Sequence, residues 1–143
     1  MQDKRFGNLY YMNVMNTSRI PLILLASQSQ QLAYLIQRYA ENCGCRFSQT
    51  GCDENFKNVV LLDPPDVILL DISRTNSEGR PALQQLRSKE QTRLIPVILC
   101  ATSELDWLDC EADGRLLQPV LFEQFAGAIK EIGINISENK KEA

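Results

Sequence analysis

Three short runs of the chain are apolar at every position, and each follows a proline. They are Leu22–Ala26 after Pro21, Val67–Leu70 after Pro64-Pro65, and Val97–Ala101 after Pro96. A strand with one face in water alternates apolar and polar residues. A strand with no polar position is covered on both faces, as in the centre of a parallel sheet flanked by helices. The stretches between these runs carry a helical period. Leu32, Leu35, Ile36, Tyr39 and Ala40 share one face of a first helix, with Ser27 or Ser29 available as its cap and Gly44 placed to stop it. Arg46–Thr50 alternates and is more polar, which predicts a second strand at a sheet edge. Asp53 can cap a second helix with Phe56, Val59 and Val60 on its inner face, and Pro64-Pro65 ends it. Pro81 suits the first turn of a third helix that turns Leu83 and Leu86 inward. Ser103 and Asp106 have capping-box spacing, with Asp in the usual Glu position, and predict a short fourth helix. After the Asp113-Gly114 turn, Arg115–Leu117 reads as a short fifth strand ended by Pro119. A last helix carries Phe122, Phe125, Ala126 and Ile129.

Five strands alternating with five helices, joined by short connections and right-handed crossovers, predict an α/β fold. The expected architecture is a doubly wound five-stranded parallel sheet in the flavodoxin-like order 2-1-3-4-5, with helices on both faces. The folded domain spans residues 20–133. Residues 1–19 read as a leader, partly ordered, and 134–143 as a polar tail.

Composition narrows the function. The chain has 143 residues, 44% hydrophobic and 23% charged, with a net charge of −3. That balance supports one ordinary core and argues against a nucleic-acid surface, which needs clustered Lys and Arg. No apolar run approaches the ~18 residues of a membrane span, and the N-terminus lacks a signal-peptide core. The expected location is therefore cytoplasmic. There is no His, which excludes Ser-His and Cys-His catalysis, His metal ligation and a histidine phosphotransfer donor within the chain. The five Cys are odd in number and irregularly spaced, and read as reduced thiols rather than a metal site.

Candidate chemistry lies at the strand ends. In open α/β sheets, ligands sit beyond the carboxyl ends of the strands. The predicted order brings Ala26-Ser27, Asp71, Ala101-Thr102 and Gln118-Pro119 to one crevice. Asp71 ends the most apolar run, where a carboxylate serves function or anchoring rather than core packing.

The segment Asp71-Ile72-Ser73-Arg74-Thr75-Asn76-Ser77-Glu78-Gly79 resembles the phospho-acceptor strand and loop of two-component response-regulator receiver domains, and the resemblance covers roughly residues 20–133. It implies that Asp71 stands at the acceptor position, that Gly79 is the small residue after the acceptor loop, and that Pro119 is the proline after strand 5. Other positions depart from the family. The acidic pair that would hold Mg²⁺ reads Ala26-Ser27, or Ser27-Gln28 with the register moved by one. The Ser/Thr after strand 4 falls on Ala101, beside Thr102, and the Lys before the proline is Gln118. An aspartyl phosphate needs its charge offset by Mg²⁺, bound through hard oxygen ligands, and by a nearby cation. Loss of both the carboxylate pair and the Lys leaves a nearly neutral crevice. This points to a degenerate, phosphate-independent variant with no cofactor. The alternative is an atypical receiver that still takes phosphate on Asp71, with Mg²⁺ and with help from Ser27, Thr102 or Arg74. Asp71 has a plainer reading too, as a loop anchor accepting hydrogen bonds from the Ser73 or Arg74 amides or the Gln118 side chain.

The implied activity is signalling by protein contact rather than catalysis. The implied partners are a histidine kinase, another regulator, or a second copy as a homodimer. Output through a partner is expected, since the length leaves no room for an attached output domain. In receiver domains helix 4, strand 5 and helix 5 form the usual contact face, which nominates Trp107, Leu116, Leu121 and Phe122. Trp107 lies among Glu104, Asp106, Asp109, Glu111 and Asp113 and can equally pack beneath a shortened helix. The acids read as a solvated stretch or a charged docking surface. A rival of another class is a small-ligand or nucleotide-binding domain using the same crevice. Against it, neither GxGxxG nor GxxxxGK[ST] occurs.

Overall fold

The computed structural model describes residues 19–137. The expected leader, apart from Arg19, and the tail beyond Ser137 lie outside the described residues.

The elements are β1 (Leu22–Ala26), α1 (Gln30–Asn42), β2 (Arg46–Thr50), α2 (Asn55–Leu62), β3 (Val67–Asp71), α3 (Gly79–Ser88), β4 (Val97–Ala101), a single 3₁₀ turn (Glu104–Trp107), β5 (Gly114–Leu117) and α4 (Phe122–Glu131). All five strands are parallel, in the order β2-β1-β3-β4-β5. The doubly wound flavodoxin-like sheet is therefore present, with four α-helices among the described residues where five were expected. The predicted fourth helix is the 3₁₀ turn. Ser103 does cap it, accepting from the Leu105 amide at 3.2 Å, but Asp106 is drawn inward and buried rather than completing a reciprocal cap.

The apolar runs divide by alternation between two cores. Ile23, Leu25, Val67, Leu69, Ile98, Cys100 and Leu116 face α1 and α4, meeting Ile36, Phe125 and Ile129. Leu24, Ile68, Leu70, Val97 and Leu99 face α2 and α3, meeting Phe56, Val60, Ala82, Leu83 and Leu86. Successive side chains of a strand point to opposite faces, so a strand covered on both sides must be apolar throughout. This is why β1, β3 and β4 read as unbroken runs. β2, at the edge, is half-buried and mixed.

Local signals set the element ends. Ser29 caps α1, its Oγ accepting from the Leu32 amide at 3.1 Å. Gly44, at φ +73°, leaves the helix in the left-handed region that favours glycine. Asp53 Oδ1 accepts from the Asn55 amide at 3.0 Å as α2 begins. The packed body continues past residue 133. Ile134 and Ile136 lie against the α1/α4 core, and the Ser137 amide donates to the Cys43 carbonyl at 2.9 Å. No helix among the described residues is long and apolar enough to cross a membrane.

Candidate functional site

The carboxyl ends of β1, β3, β4 and β5 meet as the strand order requires. Asp71 pairs in register with Cys100, Ala26 with Leu70, and Ala101 with Leu117. Backbone bonds carry the sheet one residue further: Ser27 N–H donates to the Thr50 carbonyl at 2.9 Å, and Ile72 N–H to the Cys100 carbonyl at 2.9 Å.

Asp71 is only 5% exposed. Its Oδ2 accepts from the Ser27 hydroxyl at 2.7 Å. Its Oδ1 accepts from the Ser73 amide at 3.0 Å and the Ser73 hydroxyl at 2.5 Å. Ser27 Oγ in turn accepts from the Ser29 amide at 3.1 Å, and the Gln49 side chain donates to the Ser27 carbonyl at 2.9 Å. A buried carboxylate is tolerated only when hydrogen-bonded, and three donors meet that need here. Among the described residues, neither the Arg74 amide nor the Gln118 side chain serves Asp71. Ser73 does, as one of the sequence readings has it, and Ser27 joins it from the end of β1. Two hydroxyls so deeply buried (Ser27 1%, Ser73 4%) were not foreseeable as a pair, because nothing in a sequence shows which of several serines turns inward.

Gly79 has a steric reason for its identity. A Cβ there would lie 2.3 Å from the Asp71 carbonyl oxygen and 3.1 Å from Ile72 Cα. The first residue of α3 therefore packs backbone to backbone against the end of β3. The Asn76 side chain donates to the same Asp71 carbonyl at 2.5 Å and to Cys52 Sγ at 3.5 Å.

The other predicted crevice residues are close but less engaged. Ala26 and Ala101 are buried strand ends, and Thr102 is exposed. Gln118 is half-buried, its amide donating to the Ala101 carbonyl at 2.8 Å, and its bond to the exposed Pro119 is cis. Arg74 is exposed. Burial pushes the Cys100 thiol well up, and nearby Asp71 adds to the effect. Burial likewise raises Cys52, against a smaller opposing pull from the Asn76 hydrogen bond.

This donor set does not fit a Mg²⁺ site. A hard divalent cation takes oxygen ligands, commonly including one or two free carboxylates. Here one carboxylate is present and hydrogen-bonded through both oxygens. Among the described residues, no three His, Cys, Asp or Glu side chains gather where an ion could sit.

The nominated contact residues separate. Leu116 is 3% exposed and belongs to the α1/α4 core, because alternation turns it inward; it cannot serve as a contact residue. Its neighbour Leu117, on the opposite face, is 39% exposed. Leu121 is exposed, and Phe122 is half-buried with its ring 5.4 Å from that of Tyr39. Trp107 is half-buried against the α2/α3 core. Leu105 and Leu108, beside it, are exposed.

An arginine ties this region to the start of α3. Arg80, next to Gly79, donates to Asp109 Oδ1 at 2.7 Å, to Cys110 Sγ at 3.1 Å, and to the Asp106 carbonyl. The Arg80 hydrogen bond holds the Asp109 carboxyl below its usual range.

No protein-family model matches the chain. Its fold is that of response-regulator receiver domains. The structure is similar to the chemotaxis protein CheY4 of Vibrio cholerae, with a TM-score of 0.69 and 15% identity over 80% of this chain and 99% of the other. It is also similar to the signal receiver domain of a signal transduction histidine kinase from Syntrophus aciditrophicus, with a TM-score of 0.70 and 22% identity over 83% and 96%. A third is the bacteriophytochrome response regulator RtBRR, with a TM-score of 0.63 and 22% identity over 85% and 83%. In sequence, 111 residues are 27% identical to the autoinducer 1 sensor kinase/phosphatase LuxN of Vibrio campbellii and of Vibrio harveyi. That alignment takes in 75% of this chain and 13% of the length of those relatives.

Proposed function

We propose that this chain supplies a receiver-type signalling module of the two-component kind that works by protein contact and does not take phosphate on Asp71. The observation that carries this reading is the saturation of Asp71 by the hydroxyls of Ser27 and Ser73. A phosphoryl acceptor must present a free oxygen to the incoming phosphorus and then shelter a dianion. At Asp71 both oxygens are engaged, the side chain is buried, and no Lys or Arg side chain donates to it among the described residues.

The proposed partners are a histidine kinase, another regulator, or a second copy of the chain, in a cytoplasmic setting and without nucleic acid. The contact surface follows the exposed apolar residues around β5. Leu117 and Leu121 offer area to a partner, and Phe122 and Trp107 support them from partly buried positions.

The test is a melting curve with Mg²⁺ and beryllofluoride. A functioning acceptor site at 100-fold saturation would add about 2.7 kcal/mol. The expected result is no Mg²⁺-dependent rise. A rise of several degrees that disappears in Asp71→Asn would instead establish the phosphate-accepting reading. A nucleotide panel in the same assay addresses the ligand-binding rival, whose signature is a shift with nucleotide alone.

A further inference from the structure

Exposed leucines stand off both ends of β4. At its carboxyl end, the 3₁₀ turn starts three residues after Ala101. Side chains three apart eclipse in a 3₁₀ turn, and Leu108 continues the helical backbone at φ −57°, ψ −35°. Leu105 and Leu108 therefore share one face, where they are 63% and 73% exposed. At the amino end, Leu94 lies three residues before Val97 and is 85% exposed. Leu62, which ends α2 ahead of β3, is exposed at that same end of the sheet. A scattered surface leucine is ordinary, but leucines grouped within a charged rim mark a contact surface.

The two ends differ in charge. Residues 104–111 hold Glu104, Asp106, Asp109 and Glu111 and no base. Arg80 answers Asp109, and Arg115 reaches the Cys110 carbonyl. Glu104 and Glu111 are exposed and have no ion pair among the described residues. Arg74 stands across a cleft from Leu105, so the acidic character is strongest toward Leu108 and Glu111. At the other end, exposed Lys89 and Arg93 precede Leu94, and exposed Lys57 shares a small cleft with Lys89. These three bases have no ion pair among the described residues, and Glu90 is the one acid within residues 89–94.

We propose that the chain associates head to tail with a second copy of itself, Leu108 and Glu111 of one copy meeting Leu94, Lys89 and Arg93 of the next. The two patches are different surfaces at opposite ends of one strand, so the contact is heterologous and a pair keeps one free face of each kind. Charge decides which end meets which, because like ends repel. The contact uses neither Leu117 nor Leu121, and it does not depend on whether Asp71 takes phosphate.

The experiment is sedimentation equilibrium of the full chain, thiols kept reduced, with average mass followed against protein concentration. Mass should rise with concentration at about 50 mM salt and fall back at about 500 mM, where the charges are screened. Leu108→Gln removes the apolar contact at the acidic end and Leu94→Gln that at the basic end. Both positions are exposed, so the melting temperature should not change. Each variant alone should associate about tenfold more weakly than the parent, or less, as befits loss of a buried leucine. Mixed in equal amounts, the two variants should form a dimer that grows no further, because each supplies the face that the other lacks. The proposal is overturned if the parent stays a monomer up to about 1 mM, if either variant associates like the parent, if mixing the variants restores nothing, or if salt strengthens the association.

Discussion

The hydroxyl of Ser27 donates to Asp71 Oδ2 at 2.7 Å, joining the ends of two neighbouring strands that lie 44 residues apart in sequence. With the Ser73 hydroxyl on Oδ1, this bond makes the Asp71 carboxylate a structural knot at the centre of the sheet's carboxyl edge. Ser27→Ala should remove the one donor to this buried carboxylate oxygen among the described residues. The expected cost is about 1–3 kcal/mol in urea unfolding. A cost near zero would mean that the carboxylate is free to find other donors, and would count against the anchoring role.

Gly79→Ala should be severe for its size. The added methyl would meet backbone atoms, which cannot rotate away as a side chain would. Either α3 shifts or the β3 end distorts, and overpacking of this kind costs about 1–3 kcal/mol. Gly127 is the internal control, because a Cβ there has nothing within 4 Å. Gly127→Ala in an α-helix should be neutral or stabilising. The two substitutions, compared by denaturant midpoint, separate steric contact from backbone preference.

Arg80→Ala should loosen the segment between β4 and β5 while leaving the global fold. The pair with Asp109 is at the surface, where ion pairs contribute little to overall stability. The Asp106 carbonyl and Cys110 would lose their tie as well. Amide exchange should rise in residues 104–110 and stay unchanged in β3 and β4. Uniform acceleration across the sheet would show that the arginine supports the fold as a whole.

Stability should fall at alkaline pH. Burial raises the Cys45 thiol to about 11 and drives Cys100 up further. A thiol with a folded pKa above its unfolded value near 9 holds its proton more tightly in the native state. Its contribution is complete below about pH 9 and is lost as pH rises from there toward 11 for Cys45, because the unfolded chain gives up the proton first. The denaturant midpoint should be flat from pH 7 to 8.5 and decline above 9, and Cys45→Ala should lessen the decline. A midpoint independent of pH across that range would contradict the buried, protonated thiols.

The sequence carried the fold because the fold is written in burial on two sides. Runs such as Val67–Leu70 have few structural solutions, and the prolines before β1, β3 and β4 marked their starts. The fourth helix was misread because Ser103 supplies a cap that serves a single 3₁₀ turn as well as a helix, and capping spacing alone does not set length. Leu116 and Leu117 illustrate a second limit. Both are leucines at the end of a short strand, and only the strand's register decides which is core and which is surface. At the site, the position of Asp71 and the glycine that must follow it were legible. The Ser27–Asp71–Ser73 cluster was not, because it depends on side-chain direction at three chain positions brought together by the sheet.

Arg87 completes a pattern begun by Arg80. It donates to Asp113 Oδ2 at 3.0 Å and to the Arg93 and Ile95 carbonyls, and the same Asp113 oxygen accepts from the Val97 amide at 2.8 Å. The two arginines are seven residues apart on α3, hence on nearly the same face and separated by about 10 Å along its axis. One grips the middle of the β4–β5 excursion and the other its end, so α3 serves as a ruler for that stretch. One residue inserted between Arg80 and Arg87 would swing one of them by about 100° around the axis and break the match. The lengths of α3 and of the excursion are thereby matched, and a change of one residue in either would cost one of these ties unless the other changed with it.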